Sequence, residues 1–195
     1  MNGPKVFGRF APNGSSPRRD TPAEPPLSEL SLSFPPLAFV AEWTRCSETA
    51  DFVARFFSHD YEDREVAGNI LSTVVNELVE NAVKFSSDKA VPACLTVREY
   101  ADRVTIVTAN VVTAAQGAAF GDTVTRLVAG DPEILFAEQV AHPPQTGSAG
   151  IGLILLRKDY DATIGVRLAG GESGTDRAVT VDVEVTIENR EVGQT

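Results

Sequence analysis

Two cysteines, two histidines, one methionine and one tryptophan occur in 195 residues, and no apolar stretch nears the roughly 20 residues that cross a bilayer. Cys46 and Cys94 are too few for a disulfide framework and lack metal-ligand spacing; each lies beside apolar residues and reads as a buried bystander in a reducing compartment. No apolar signal core marks the N-terminus, so a cytoplasmic location is expected. Basic residues are also in the minority: 17 Lys and Arg against 27 Asp and Glu give a formal net charge of -10. Such a charge repels a nucleic-acid backbone and an anionic membrane, excluding either as the main partner while leaving room for a local phosphate pocket. The Walker-type phosphate loop is missing too, since no Gly-Lys-Ser or Gly-Lys-Thr occurs.

What remains is a composition of 43% apolar and 23% charged residues, that of one soluble globular domain. Residues 1–28 are rich in Pro, Gly, Ser and Asn, with Pro12-Asn13-Gly14 and Pro25-Pro26, and read as a disordered leader before a domain over 29–190. Leu30, Leu32 and Phe34, then Leu37, Phe39 and Val40, suggest one or two strands around Pro35-Pro36. Ser47 or Thr49 can cap a helix carrying Phe52, Val53, Phe56 and Phe57 toward the core. His59-Asp60 follows as a structural or solvent-facing pair.

The strongest signal lies over 64–85. Ile70, Leu71, Val74, Val75, Leu78, Val79, Ala82 and Val83 recur at spacings of three and four, which predicts a helix with one buried face. Glu77 and Asn81 are one turn apart and point from the same side. Through its oxygen Asn81 can hold a hard cation, and the Glu77 carboxylate can orient or deprotonate a hydroxyl beside it.

Strands are expected over 92–100 and 104–108, turned by Ala101-Asp102-Arg103. An insert over about 110–147 has helix-like runs at 114–129 and 132–140 and suits a lid over a ligand. Gly147-Ser148-Ala149-Gly150-Ile151-Gly152-Leu153 then opens a last helix, 151–160, where glycines admit close backbone approach and exposed N–H groups can receive phosphate oxygens. A hairpin over 162–168 and 178–188 ends the pattern. Val179, Val181, Val183, Val185 and Ile187 alternate with Asp182, Glu184 and Thr186, one core face and one wet face. The class is α+β: a two-layer sandwich with helices on one face of a mixed, mostly antiparallel sheet.

Residues 76–85 resemble the N-box of the GHKL superfamily of ATP-binding domains, and Ser148-Ala149-Gly150-Ile151-Gly152-Leu153 resembles its second glycine box. The resemblance implies a Bergerat fold binding ATP and Mg2+. It makes Asn81 the metal ligand and Glu77 the general base. Lys84 contacts phosphate or the lid, and Gly147, Ser148, Gly150, Ile151, Gly152 and Leu153 form the phosphate-binding turn. The superfamily's Asp-x-Gly-x-Gly box is replaced by Thr108-Ala109-Asn110-Val111-Val112-Thr113, which leaves the Asn110 amide to accept from the adenine amino group. That departure resembles the divergent SiaB-family and anti-sigma-factor serine kinases. It implies a serine/threonine kinase of a bacterial partner-switching pathway, a small STAS-like protein as its substrate, and possible homodimer formation. The alternatives are a catalytically inactive module acting by protein binding and an ATP hydrolase with no protein acceptor.

Overall fold

The computed structural model describes residues 3–10, 24–142, 150–170 and 178–192. Six strands form one open sheet in the order β1-β5-β6-β4-β3-β2, with β1 Lys5–Gly8, β2 Ser28–Phe34, β3 Ala93–Glu99, β4 Arg103–Thr113, β5 Thr163–Gly170 and β6 Ala178–Glu188. Among the described residues every strand pair is antiparallel, so the sheet expected to be mixed and mostly antiparallel is antiparallel throughout. Helices α1 Pro36–Ala41, α2 Thr44–Phe57, α3 Arg64–Phe85, α4 Ala114–Ala129, α5 Pro132–Ala141, α6 Ile151–Tyr160 and the short α7 Asn189–Val192 complete the chain. Helices pack on one face of the sheet, giving the two-layer α+β sandwich. Among the described residues no helix is long and apolar enough to cross a membrane.

Helix α3 starts where Asp63 accepts a hydrogen bond from Val66 N at 3.0 Å. Its predicted apolar stripe is buried as expected, from Ala67 through Val83. The stripe meets Leu95 and Val97 of β3, Val104 and Ile106 of β4, and α2 in a single core. Helix α4 begins with a capping box between Thr113 and Gln116, and α5 with Asp131 capping Glu133 N and Ile134 N ahead of Pro132.

Several local expectations are corrected. The segment after Phe34 is helix α1, because Pro36 occupies the first helical turn, where a missing N–H does no harm. Helix α2 begins at Thr44, so Ser47 lies inside its first turn and caps nothing. Its buried side is Cys46, Ala50, Val53, Ala54 and Phe57, which leaves Phe52 and Phe56 exposed. Cys94 is exposed, since alternation along β3 turns it away from Ala93 and Leu95.

The leader also contributes structure. Lys5–Gly8 pair with β5 as an edge strand, whereas a disordered segment was expected; residues 1–2 and 11–23 of that expectation lie outside the described residues. Arg9 and Phe10 then cross the sheet face away from the helices at Gly165, where a Cβ would stand 2.1 Å from Arg9 O. The Arg167 guanidinium lies 5.0 Å from the Phe10 ring and pairs with Asp182 at 2.7 Å. The supposed wet face of β6 is therefore closed at Asp182 and Glu184, both buried.

Gly165→Ala is expected to lift this crossing, because the neighbour that must yield is backbone. A loss of about 1–3 kcal/mol in urea unfolding is the expected outcome; stability equal to the parent would contradict the crossing.

Candidate functional site

A cavity of about 210 Å3 opens between α3, α4 and the sheet. Leu78, Asn81, Ala82 and Phe85 of α3 form one wall, and Gln116, Ala119, Phe120 and Thr123 of α4 form the opposite one. The floor is Thr108, Asn110 and Val112 of β4 with Val181 and Val183 of β6, and Gly150 and Leu153 of α6 close one end. Apolar walls with a few convergent amides and hydroxyls suit a flat, partly apolar ligand with hydrogen-bonding edges.

Local sequence explains each placement. Strand β4 runs on to Thr113, beyond the expected end at 108, so Asn110 sits within the strand opposite Val181. Strand alternation then turns Thr108, Asn110 and Val112 to the helical side. Helix α4 comes close to the sheet because Gly117 and Gly121 lie at Val179 and Phe7, where a Cβ would be 3.3 and 3.2 Å away. Of the segment expected to be a lid, residues 114–141 thus hold two capped helices, the first docked on the sheet and forming a wall, while 143–147 lie outside the described residues.

Helix α6 begins at Gly150, whose φ of 121° falls in a region that favours glycine. Its first internal hydrogen bond runs from Ile154 N to Gly150 O at 2.9 Å, so the N–H groups of Ile151, Gly152 and Leu153 precede the ladder. Gly147 and Ser148 lie outside the described residues.

Glu77 reaches the same helix. A Cβ on Gly152 would stand 1.9 Å from Glu77 Oε2, so the carboxylate occupies the space that this glycine leaves. Burial raises the Glu77 carboxyl above its ordinary value; Glu80 raises it further and Lys84 lowers it. A carboxylate raised in this way is a better proton acceptor than a surface one. Asn81 lines the cavity one turn further on, whereas Lys84 is exposed with its ammonium 5.4 Å from the Phe85 ring. Structure thus gathers Asn81, Asn110, Gly150 and Leu153 on the cavity, with Glu77 against Gly152 at the start of α6.

Two basic residues that the sequence reading passed over hold these walls. Lys89 Nζ donates to Val83 O at 2.5 Å and Lys84 O at 3.0 Å, capping the end of α3, and its burial lowers its pKa. Arg157 of α6 donates to Leu127 O and to Gly130 O, the latter at 2.9 Å, and so holds the end of α4. A cation just past a helix end was the available signal for Lys89; for Arg157, 27 residues from Gly130 in sequence, there was none. Glu99, pushed up to about 7 by burial and then by Asp60, pairs with Val104 at the start of β4 and is outside the cavity.

No group of three or more His, Cys, Asp or Glu among the described residues is placed to hold a metal ion. A cation here would rest on the Asn81 amide oxygen and otherwise on water and oxygens brought by a ligand, and Mg2+ commonly keeps several waters and phosphate oxygens in its shell.

No family model matches the chain, and no curated protein matches it either. Among solved structures it is similar to a chain of the SiaB-SiaC complex from Pseudomonas aeruginosa, with TM-score 0.55 and 15% identity, covering 77% of this chain and 97% of that one. The two share a fold.

A raised carboxyl means that the folded state holds the Glu77 proton more tightly than the unfolded chain does. Its contribution to stability therefore falls as pH rises above the ordinary carboxylate range. Glu77→Gln is expected to melt higher than the parent at pH 7.5, with the difference shrinking toward pH 4. A lower melting point for the variant at pH 7.5 would show that the ionised carboxylate is held by a favourable partner.

Proposed function

We propose that the chain is an ATP- and Mg2+-dependent serine/threonine protein kinase of a partner-switching pathway, acting on a small STAS-like protein. The observation that carries this reading is the convergence of Asn81, Asn110 and the start of α6 on one cavity, with Glu77 next to it. The shared fold with a chain of the SiaB-SiaC complex supports it, because that protein is seen in complex with another. The acidic charge of this chain favours a partner with a complementary basic patch.

In this reading the apolar walls take the purine, and Asn110 receives its amino group. Phosphate oxygens go to the N–H groups of Ile151, Gly152 and Leu153. Asn81 holds the magnesium ion, which supplies charge neutralisation on the phosphates when bound. Glu77 then takes the proton of an incoming serine or threonine hydroxyl at its carboxylate. A base is useful for a neutral hydroxyl, and the raised carboxyl suits that task.

A second reading, a regulatory module that binds protein without phosphoryl transfer, is favoured by one feature: the Glu77 carboxylate rests against Gly152 rather than on the cavity wall. The two readings separate experimentally.

Calorimetric titration with ATP and a non-hydrolysable analogue, with and without Mg2+, is expected to show Mg2+-dependent binding that weakens at least about tenfold, or ~1.4 kcal/mol, in Asn81→Ala. Glu77→Gln is expected to bind nucleotide within about threefold of the parent, ~0.7 kcal/mol, and to lose transfer to a hydroxyl acceptor. Absence of both binding heat and thermal shift at millimolar nucleotide would remove the kinase reading; binding without transfer to any candidate partner would leave the regulatory module.

A further inference from the structure

The last turn of α3 fixes the direction of a cavity amide. Ser86 Oγ lies 2.6 Å from Ala82 O. A carbonyl brings no proton, so two oxygens this close must hold the hydroxyl proton between them. Only lone pairs remain on Ser86 to face β4. Asn110 meets them at 3.4 Å, and an amide set against a pure acceptor turns its NH2 group that way. Its other end, Oδ1, is then what the amide offers the cavity.

Backbone ties hold this arrangement in register. Ser87 N donates to Val111 O at 2.8 Å, and Ser87 Oγ donates to the same carbonyl at 3.2 Å, joining the end of α3 to β4 one residue past Asn110. Ser86 and Asn110 are 5% and 6% exposed, so water competes little for either group.

We infer that Ser86 is a positioning residue that sets base specificity: it holds the Asn110 amide with its oxygen toward the cavity, selecting a purine with an exocyclic amino group over a 6-oxo purine. This rests on the nucleotide reading above and adds to it a residue and a discrimination. A carboxylate at position 110 would need no such device, because both of its oxygens accept. An amide has a donor end and an acceptor end, and without Ser86 it can turn over. The turned amide presents NH2 to the cavity, which suits the 6-oxo group of hypoxanthine.

The test compares Mg2+-ATP with Mg2+-ITP by calorimetry on the full chain. Parent protein is expected to prefer ATP by at least about tenfold, since an unmatched buried amide oxygen discriminates strongly. In Ser86→Ala the ratio is expected to fall to within about threefold, and Asn110→Asp in that background is expected to restore it, because a carboxylate cannot turn into a donor. Ser86→Cys keeps the packing and weakens the contact, so it too narrows the ratio even if the alanine variant folds poorly. An unchanged ratio in both Ser86 variants, or equal binding of the two nucleotides by the parent, overturns the inference and leaves the kinase reading standing. If neither nucleotide binds the parent, the kinase reading fails and the inference falls with it.

Discussion

Everything at the cavity depends on how α3 is clamped. Its nine buried side chains lie against the sheet and α2, so rotating the helix to improve one polar position would expose apolar surface along its length. Both ends are fixed as well. Asp63 holds the start, and Lys89, Ser86 and Ser87 hold the end to its own last carbonyls and to β4. With the helix held in this way, Glu77 and Asn81 have little freedom beyond their own rotamers. Their alignment toward α6 and the cavity is a consequence of packing.

The second wall is set by absent side chains. Gly117 and Gly121 let α4 lie close on the sheet, and Arg157 pulls the end of α4 toward α6. Since α6 starts at Gly150, the Arg157 hydrogen bonds to backbone carbonyls link the helix of the wall that would cover a base with the helix whose first turn would receive phosphate. An α4 displaced from the sheet would widen the cavity and disturb the start of α6 together.

What the sequence made legible follows the range of the interactions concerned. Periodicity located α3 to the residue, and the helix-like runs at 114–129 and 132–140 located α4 and α5, because neighbouring residues decide these features. The open antiparallel sheet and its single helical layer were anticipated in class. The burial of Asp182 and Glu184 was not, because it depends on a crossing by Arg9 and Phe10 some 170 residues away in the chain. Phe52 and Phe56 were placed in the core on hydrophobicity alone, while Ala50 and Ala54 do the packing where α2 meets α3 closely. At the candidate site the pairing of Glu77 with Asn81 and the glycines about Gly150 stood out from the residues themselves, whereas Asn110 and Leu153 were named only through the family resemblance. The hydrogen bond that orients Asn110 joins residues 24 apart and could be seen only once β4 lay beside the end of α3.

In the proposed function a nucleotide binds in the cavity between α3, α4 and the sheet. Methyl NMR of the selectively labelled protein, titrated with a non-hydrolysable Mg2+-ATP analogue, tests it most directly. Saturable shifts are expected at Leu78, Val112, Leu153, Val181 and Val183, which line the cavity, with Leu32 on the far edge strand unmoved. Saturable shifts centred on Leu32, or none at the cavity methyls, would contradict it.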